Sequence, residues 1–431
     1  MSPRILNSEL IAQYMINKKL LKHRGLRNVS YLALGNAVSQ IISLIGAFYI
    51  PRILGTEKYG QLNIVTSYVS LFTIFTFSGL NKVLLRECSR NLEKVKDIIE
   101  GAIGLKNLFA LFAGVISVII VLFINYEQGT KMYIYIYSLS LLMQGLSSTI
   151  DIVYQAFEEM KYIAYMTIGR VCTSVPLSII AVTLGHGVLT LILIQIGTSI
   201  VFLLINYKIS RKVVDLNFFR RIIFQGKILK QGFNFSLLEF LNALSGKIDI
   251  FMLSILTTPS NVGLYALAYR IIEKGLLLRS SISQSLFPYY AKRYNKGPMQ
   301  IRTLIEHTSL VLIPAVIIAS IILLTSEQVI TFVVGNEFLA SASLLNVLAF
   351  YLILDYSIIP WGLSIQTTNN EKIALQVGFL RASLKITLIL YLFSIFGLIG
   401  VAYATILTFI VGNVFLITYG SIKLKRQNLI T

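Results

Sequence analysis

Apolar stretches about as long as a bilayer is thick recur along this chain, separated by short polar breaks. A helix needs about 20 residues to cross a hydrocarbon core. Read in windows of about 19 residues, the pattern predicts twelve spans: 29–51, 62–81, 101–125, 132–156, 163–184, 187–207, 234–256, 262–287, 303–325, 342–366, 373–395 and 397–420. The turns between 163–184 and 187–207, and between 373–395 and 397–420, are so short that each pair is expected to form a tight antiparallel hairpin. Pro176, Pro314 and Pro360 fall inside spans, where a missing backbone donor kinks a helix. Residues 8–22 carry Ile11, Tyr14, Met15 and Leu21 on one side, with Lys18, Lys19 and Lys22 nearby. That stretch fits an interfacial amphipathic helix or a frayed basic tail.

Composition narrows the class. Of 431 residues, 55% are hydrophobic and only 13% charged, against about 25% charged in soluble domains. So little charge cannot cover a globular surface. The fold class expected is all-α integral membrane. Residues 1–28 are polar and basic with no apolar core of their own, so no cleavable signal is expected. Cys88 and Cys172 have neither metal nor redox spacing and read as packing residues.

The net charge of +19 carries a topology signal. With the N-terminus inside, the inside segments hold 27 Lys and Arg, against Arg52, Lys58 and Lys131 outside. Under the positive-inside rule both termini are cytoplasmic, and the surplus attracts anionic lipid. Seven short loops share these residues, so nucleic acid is not an expected partner.

Two short motifs recur 206 residues apart. Asn36-Ala37-Val38-Ser39 returns as Asn242-Ala243-Leu244-Ser245, and Tyr59 of the run 54–60 meets Tyr265 of the run 261–265 at the same offset. The repeat predicts a duplicated bundle, the plan of many secondary transporters. The expected parts are a cytoplasmic segment 1–28, a six-helix bundle 29–207, a basic linker 208–233, a second six-helix bundle 234–420 and a tail 421–431. With six spans in each, the bundles would be related by a pseudo-two-fold along the membrane normal, with a central cavity for substrate.

Thirteen ionisable residues fall inside the predicted spans, eight basic and five acidic. Lys106, Asp151 and Glu239 lie close enough to cytoplasmic ends to snorkel. The deeper ones each cost about 2.5–3.5 kcal/mol to insert, so they need water or partners. Arg270 and Lys274 are four apart on one helix, as are Arg381 and Lys385, so each pair shares a face. Glu273 can partly neutralise the first pair, while Lys247 and Asp249 diverge. A cationic cavity of Arg170, Lys247, Arg270, Lys274, Arg381 and Lys385 suits an anionic ligand, with Asn36, Gln40 and Asn242 as polar walls. The competing reading pairs these charges between helices as structural bridges, and makes the polar residues helix–helix contacts worth about 0.6 kcal/mol each. Asp249, Asp355 and Glu273 are candidates for coupling to H⁺ or Na⁺, since burial and nearby cations push a carboxyl in opposite directions.

No catalytic constellation is present. His23, His186 and His307 stand apart from one another and from cysteine, and no Walker lysine follows a glycine-rich loop. An enzyme is not expected, and neither is a metal or other cofactor beyond a coupling ion.

The stretches 52–60, 249–254, 262–270, 334–338 and 397–403 resemble those of Wzx-type polysaccharide (O-antigen) repeat-unit flippases. These belong to the multidrug/oligosaccharidyl-lipid/polysaccharide exporter superfamily, which also holds the lipid II flippase MurJ. The resemblance covers roughly residues 27–420. It implies a bacterial inner-membrane protein that turns undecaprenyl-diphosphate-linked oligosaccharides toward the periplasm by alternating access, coupled to an ion gradient. It also implies a polysaccharide polymerase and chain-length regulator as partners. Arg270 matches a recurrent basic position of the family. The first span holds no arginine before Arg52, which argues against lipid II. A multidrug/cation antiporter of the same superfamily would want a cavity of acids and aromatics. A membrane polymerase would want a large outside loop with Arg or His, which 326–341 lacks. A static scaffold leaves the mid-membrane charges unexplained.

Overall fold

The computed structural model describes residues 18–76, 79–216, 226–294, 300–367 and 371–428, and the regular elements among them are helical. In chain order they are α1 Lys18–Leu71, α2 Leu80–Arg90, α3 Val95–Leu122, α4 Gln128–Tyr137, α5 Ser140–Ala156, α6 Met160–Thr183 and α7 Val188–Val213. There follow α8 Gly226–Leu256, α9 Pro259–Tyr294, α10 Ile301–Val329, α11 Ala340–Ser357, α12 Ile359–Gln366, α13 Glu371–Phe396 and α14 Leu398–Asn428. The expectation for residues 8–22 falls mostly outside the described residues.

The stretches predicted as spans are helical among the described residues, with three differences in how the helices divide. The first two are joined in α1, 54 residues long, in which only Gly55 leaves helical geometry (φ 76°, ψ 172°). That positive φ suits glycine. Polar residues here suggested a loop, but neighbouring chain satisfies them within the helix. Arg52 Nη1 donates to the carbonyls of Phe332 and Val333 at 3.0 and 3.2 Å, and Thr56 Oγ1 bonds Ser260 Oγ at 2.7 Å. Second, span 132–156 divides into α4 and α5, and span 342–366 into α11 and α12, the latter just before Pro360. Third, the expected loop 82–100 is largely helical. Leu80, Val83, Leu84 and Cys88 form the buried stripe of α2, and Leu80, Leu84 and Cys88 share a core with Val95, Ile99, Ile103, Val153 and Val214. Burial pushes the Cys88 thiol up to about 12, as befits an inert packing residue. Cys172, by contrast, is exposed.

Among the described residues, nine helical stretches are long and apolar enough to cross a membrane. The first, Ser30–Thr76, is 47 residues long, about twice what one crossing needs. α8 and α9 fall outside this set, being richer in charged and polar residues. The helices wear their apolar side outward: Leu108, Leu111, Phe112, Val115 and Ile119 on α3 are exposed, as are Leu310, Ile313, Ile317, Ile321 and Leu324 on α10. Lys106, Asp249 and Lys385 meanwhile lie inside, each 1% exposed. A water-facing surface rarely carries apolar stripes of this size. This is a multi-pass, all-α membrane protein.

The chain forms two compact units: residues 1–46 with 72–239, and residues 47–71 with 240–431. This division differs from the sequence-based one chiefly at 47–71, which packs within the second unit. A Cβ on Gly60 would strike the Pro259 carbonyl, and one on Gly263 the Thr56 carbonyl, so two backbones pass each other at closest approach. Tyr59 sets its ring edge-on to Phe338 at 6.0 Å, and Tyr68 packs on Phe251 at 6.1 Å. The first unit has its own close approach, where Gly35 faces Ala164.

Candidate functional site

The second unit gathers most of the intramembrane charge, and its helices sort that charge into a buried group and an accessible one. Deepest is Asp249 on α8. Lys385 Nζ of α13 lies 2.7 Å from its Oδ1 and also donates to the Ser245 carbonyl at 2.7 Å. Tyr265 of α9 and Thr405 of α14 donate to Oδ2 at 2.7 and 3.1 Å. Four helices thus meet on one carboxylate, as a buried charge requires.

Two further links are structural in form. Arg279 lies 2.6 Å from Asp355, joining α9 to α11. Arg381 Nη2 donates to Asn413 Oδ1 at 2.7 Å, and its guanidinium sits 4.5 Å from the Phe409 ring centroid. Asn413 in turn donates to the Leu354 carbonyl at 2.8 Å.

The accessible group lies on α8 and α9. Lys247 pairs with Glu273 at 3.0 Å, both about one-third exposed. One turn away Arg270 is exposed, with Nη1 donating to the Tyr59 hydroxyl at 3.2 Å. Lys274, half-buried, lies within the electrostatic reach of Arg270 and Glu273. Three cations around one carboxylate leave a net positive surface, able to make charge-assisted bonds to phosphate oxygens.

The residues expected to line one cavity therefore separate. Lys247, Arg270, Lys274 and Glu273 come together. Lys385 and Asp249 withdraw into the bundle, because each neutralises the other there. Arg381 and Asp355 take partners of their own. Arg170, exposed on α6, and Asn36 and Gln40, on α1, belong to the first unit. Asn242 lies on α8, its side chain outside the described residues.

The expectation that Lys106 snorkels is corrected. Its ammonium is buried, donating to Asn81 Oδ1 at 2.5 Å and Ser148 Oγ at 3.0 Å. Asn81 and Ser148 lie 25 and 42 residues away in the chain, so sequence spacing gives no signal for this burial. Glu239, also expected at the interface, pairs with Lys82 at 3.4 Å.

Comparison with known proteins gives the chain a family and its fold solved counterparts. Residues 26–294 match the family described as polysaccharide biosynthesis protein. The chain belongs to that family. A curated protein of similar sequence is named a probable low-salt glycan biosynthesis flippase, Agl15, of Haloferax volcanii. It is 24% identical over 418 residues, covering 92% of this chain and 84% of the relative. Two solved structures share the fold. The lipid II flippase MurJ in an inward closed conformation has a TM-score of 0.75 at 16% identity, covering 91% of this chain and 87% of that one. An inward-facing multidrug resistance MATE transporter of the MOP superfamily has a TM-score of 0.71 at 14% identity, covering 93% and 99%. The chain thus combines the polysaccharide biosynthesis protein family with the helical fold of these two solved membrane proteins.

Proposed function

We propose that this member of the family is a flippase for undecaprenyl-diphosphate-linked oligosaccharide repeat units of the O-antigen or capsule type, carried from the cytoplasmic to the periplasmic leaflet by alternating access. The observation that carries the reading is the cationic group on α8 and α9, with Arg270 exposed and Lys247 and Lys274 beside it. A lipid diphosphate brings about two negative charges that cannot cross hydrocarbon alone, and fixed cations replace the water it gives up. The relative named as a glycan flippase and the MurJ-like fold support the same reading. The acid-dominated site that a multidrug/cation antiporter needs is a poorer match, since here one acid, Glu273, faces three cations.

The proposal includes twelve crossings in two bundles related by a pseudo-two-fold, both termini cytoplasmic, and a bacterial inner-membrane location. It extends to a polysaccharide polymerase and chain-length regulator as partners, and to coupling with an H⁺ or Na⁺ gradient. Asp249, Asp355 and Glu273 are the acids that sequence offers for coupling. Arg170, Arg381 and Lys385 remain candidate contributors to the cationic path as the helices move, with Asn36, Gln40 and Asn242 along its walls.

The test is depletion of the protein in its host, followed by the position of lipid-linked repeat units. Accumulation of units that a non-permeant glycosidase added outside the cell cannot cut is the expected result. Units that stay accessible outside, at normal abundance, overturn the reading.

A further inference from the structure

Four of the five acids within the predicted spans have ion-pair partners: Asp249, Asp355, Glu273 and Glu239. Asp151 differs. No Lys or Arg among the described residues reaches ion-pair distance of it; its contact is Asn206 Nδ2, 3.4 Å from Oδ1.

Asp151 lines a cavity of about 60 Å³ within the first unit, where α5, α6 and α7 also present Ser147, Thr167, Arg170, Ser199 and Asn206. That is room for one or two water-sized species. The walls offer oxygen lone pairs. Thr167 Oγ1 donates its proton to the Ile163 carbonyl at 2.9 Å, and Ser199 Oγ donates to the Gln195 carbonyl at 2.7 Å. Each hydroxyl is left as an acceptor toward the cavity. Asn206 is 3% exposed, and its Oδ1 is buried without a hydrogen-bond partner. A carboxylate, an orphaned amide oxygen and two acceptor hydroxyls form a set that asks for a positive guest. A single carboxylate with neutral oxygens suits a monovalent ion; divalent sites take more charge.

We propose that Asp151, with Asn206, Thr167 and Ser199, forms a site for a small monovalent cation, either Na⁺ or a proton. The charged groups facing Asp151 are Lys106 from α3 and Arg170 from α6, with Tyr154 on its own helix. Lys106 is held by Asn81 and Ser148. Arg170 is exposed and shares the cavity, so its charge opposes the guest. An anion bound by Arg170 removes that opposition, and by linkage the cation strengthens the anion in return. This last step rests on the proposed carriage of an anionic lipid-linked sugar; the cation site itself does not.

The experiment uses the purified full-length protein in nanodiscs, with ²²Na⁺ binding and the infrared carboxylic-acid band as readouts and no transport step. The wild type is expected to bind Na⁺ saturably. Asp151→Asn lowers that affinity at least tenfold, and Asn206→Ala and Thr167→Val lower it several-fold. Arg170→Gln raises it several-fold, a gain that misfolding cannot produce. A wild type that ignores Na⁺ but shows a titrating carboxylic-acid band, abolished by Asp151→Asn and moved to higher pH by Arg170→Gln, supports the same site with a proton as guest. Neither signal in the wild type, or signals that Asp151→Asn and Arg170→Gln leave unchanged, overturn the proposal. A failed flippase assay beside a positive binding result would count against the substrate and leave the cation site standing.

Discussion

Tyr59 and Tyr265, related by the 206-residue repeat, use their hydroxyls in opposite senses. Tyr265 donates to the buried Asp249 carboxylate at 2.7 Å, whereas Tyr59 accepts from the exposed Arg270 guanidinium at 3.2 Å. Both rings are fully buried. One copy of the motif secures a structural charge, and the other aims an accessible one.

That contrast sets the first expectation. Arg270→Ala should reduce surface polysaccharide strongly without lowering the amount of protein in the membrane, and Arg270→Lys should keep part of the function. Tyr59→Phe removes the acceptor but leaves the charge, so its effect should be smaller. Quantified polysaccharide on cells with matched protein levels checks all three; normal display with Arg270→Ala would remove Arg270 from the substrate path.

Stability should respond elsewhere. Removing one partner of a buried ion pair costs about 3–5 kcal/mol, so Lys385→Met should sharply lower the thermal unfolding midpoint in detergent. Lys247→Met breaks a pair about one-third exposed, worth about 0–1 kcal/mol, and should shift it little. Equal shifts would contradict the assignment of one pair to the bundle interior.

Steric tests address the crossing of Gly60 and Gly263. Each alanine substitution places a methyl against a backbone carbonyl, which cannot rotate away as a side chain can. Overpacking costs about 1–3 kcal/mol. Gly60→Ala and Gly263→Ala should each lower the midpoint, while Gly129→Ala, with open space at its Cβ, should not.

Topology is open to direct measurement. Reporter fusions after residues 128 and 222 should report periplasm and cytoplasm respectively, as the distribution of Lys and Arg requires. The reverse at either point would break the twelve-crossing proposal.

Long apolar runs made most helices readable from sequence, because in lipid the signal is length and hydropathy rather than subtle periodicity. What escaped was local. α2 is only 11 residues long and sits among charges, so its buried stripe was hidden in a basic stretch. The continuation of α1 past Pro51 depends on partners for Arg52 and Thr56 that lie over 200 residues away. Charge spacing puts Arg270, Lys274 and Glu273 along one side of a helix, and in α9 Lys274 lies within electrostatic reach of the other two. It could not tell that Lys385, equally spaced from Arg381, turns inward, since that depends on where Asp249 of another helix lies. Asp151 was undervalued for a similar reason: closeness to a helix end suggests contact with water, and the cavity that holds it is made by three helices together.

The pairing of Asp249 with Lys385 also bears on how the chain is made. Lys385 is synthesised 136 residues after Asp249, which at about 5–20 residues per second is a delay on the order of 10 s. During that interval α8 carries an uncompensated carboxylate whose residence in lipid costs about 2.5–3.5 kcal/mol. α8 has reason to linger at the insertion machinery, or against α9 through Tyr265, until α13 arrives with the counter-charge. Nascent chains released before residue 385 should then be extracted and degraded, so the ion pair doubles as a checkpoint on completed assembly.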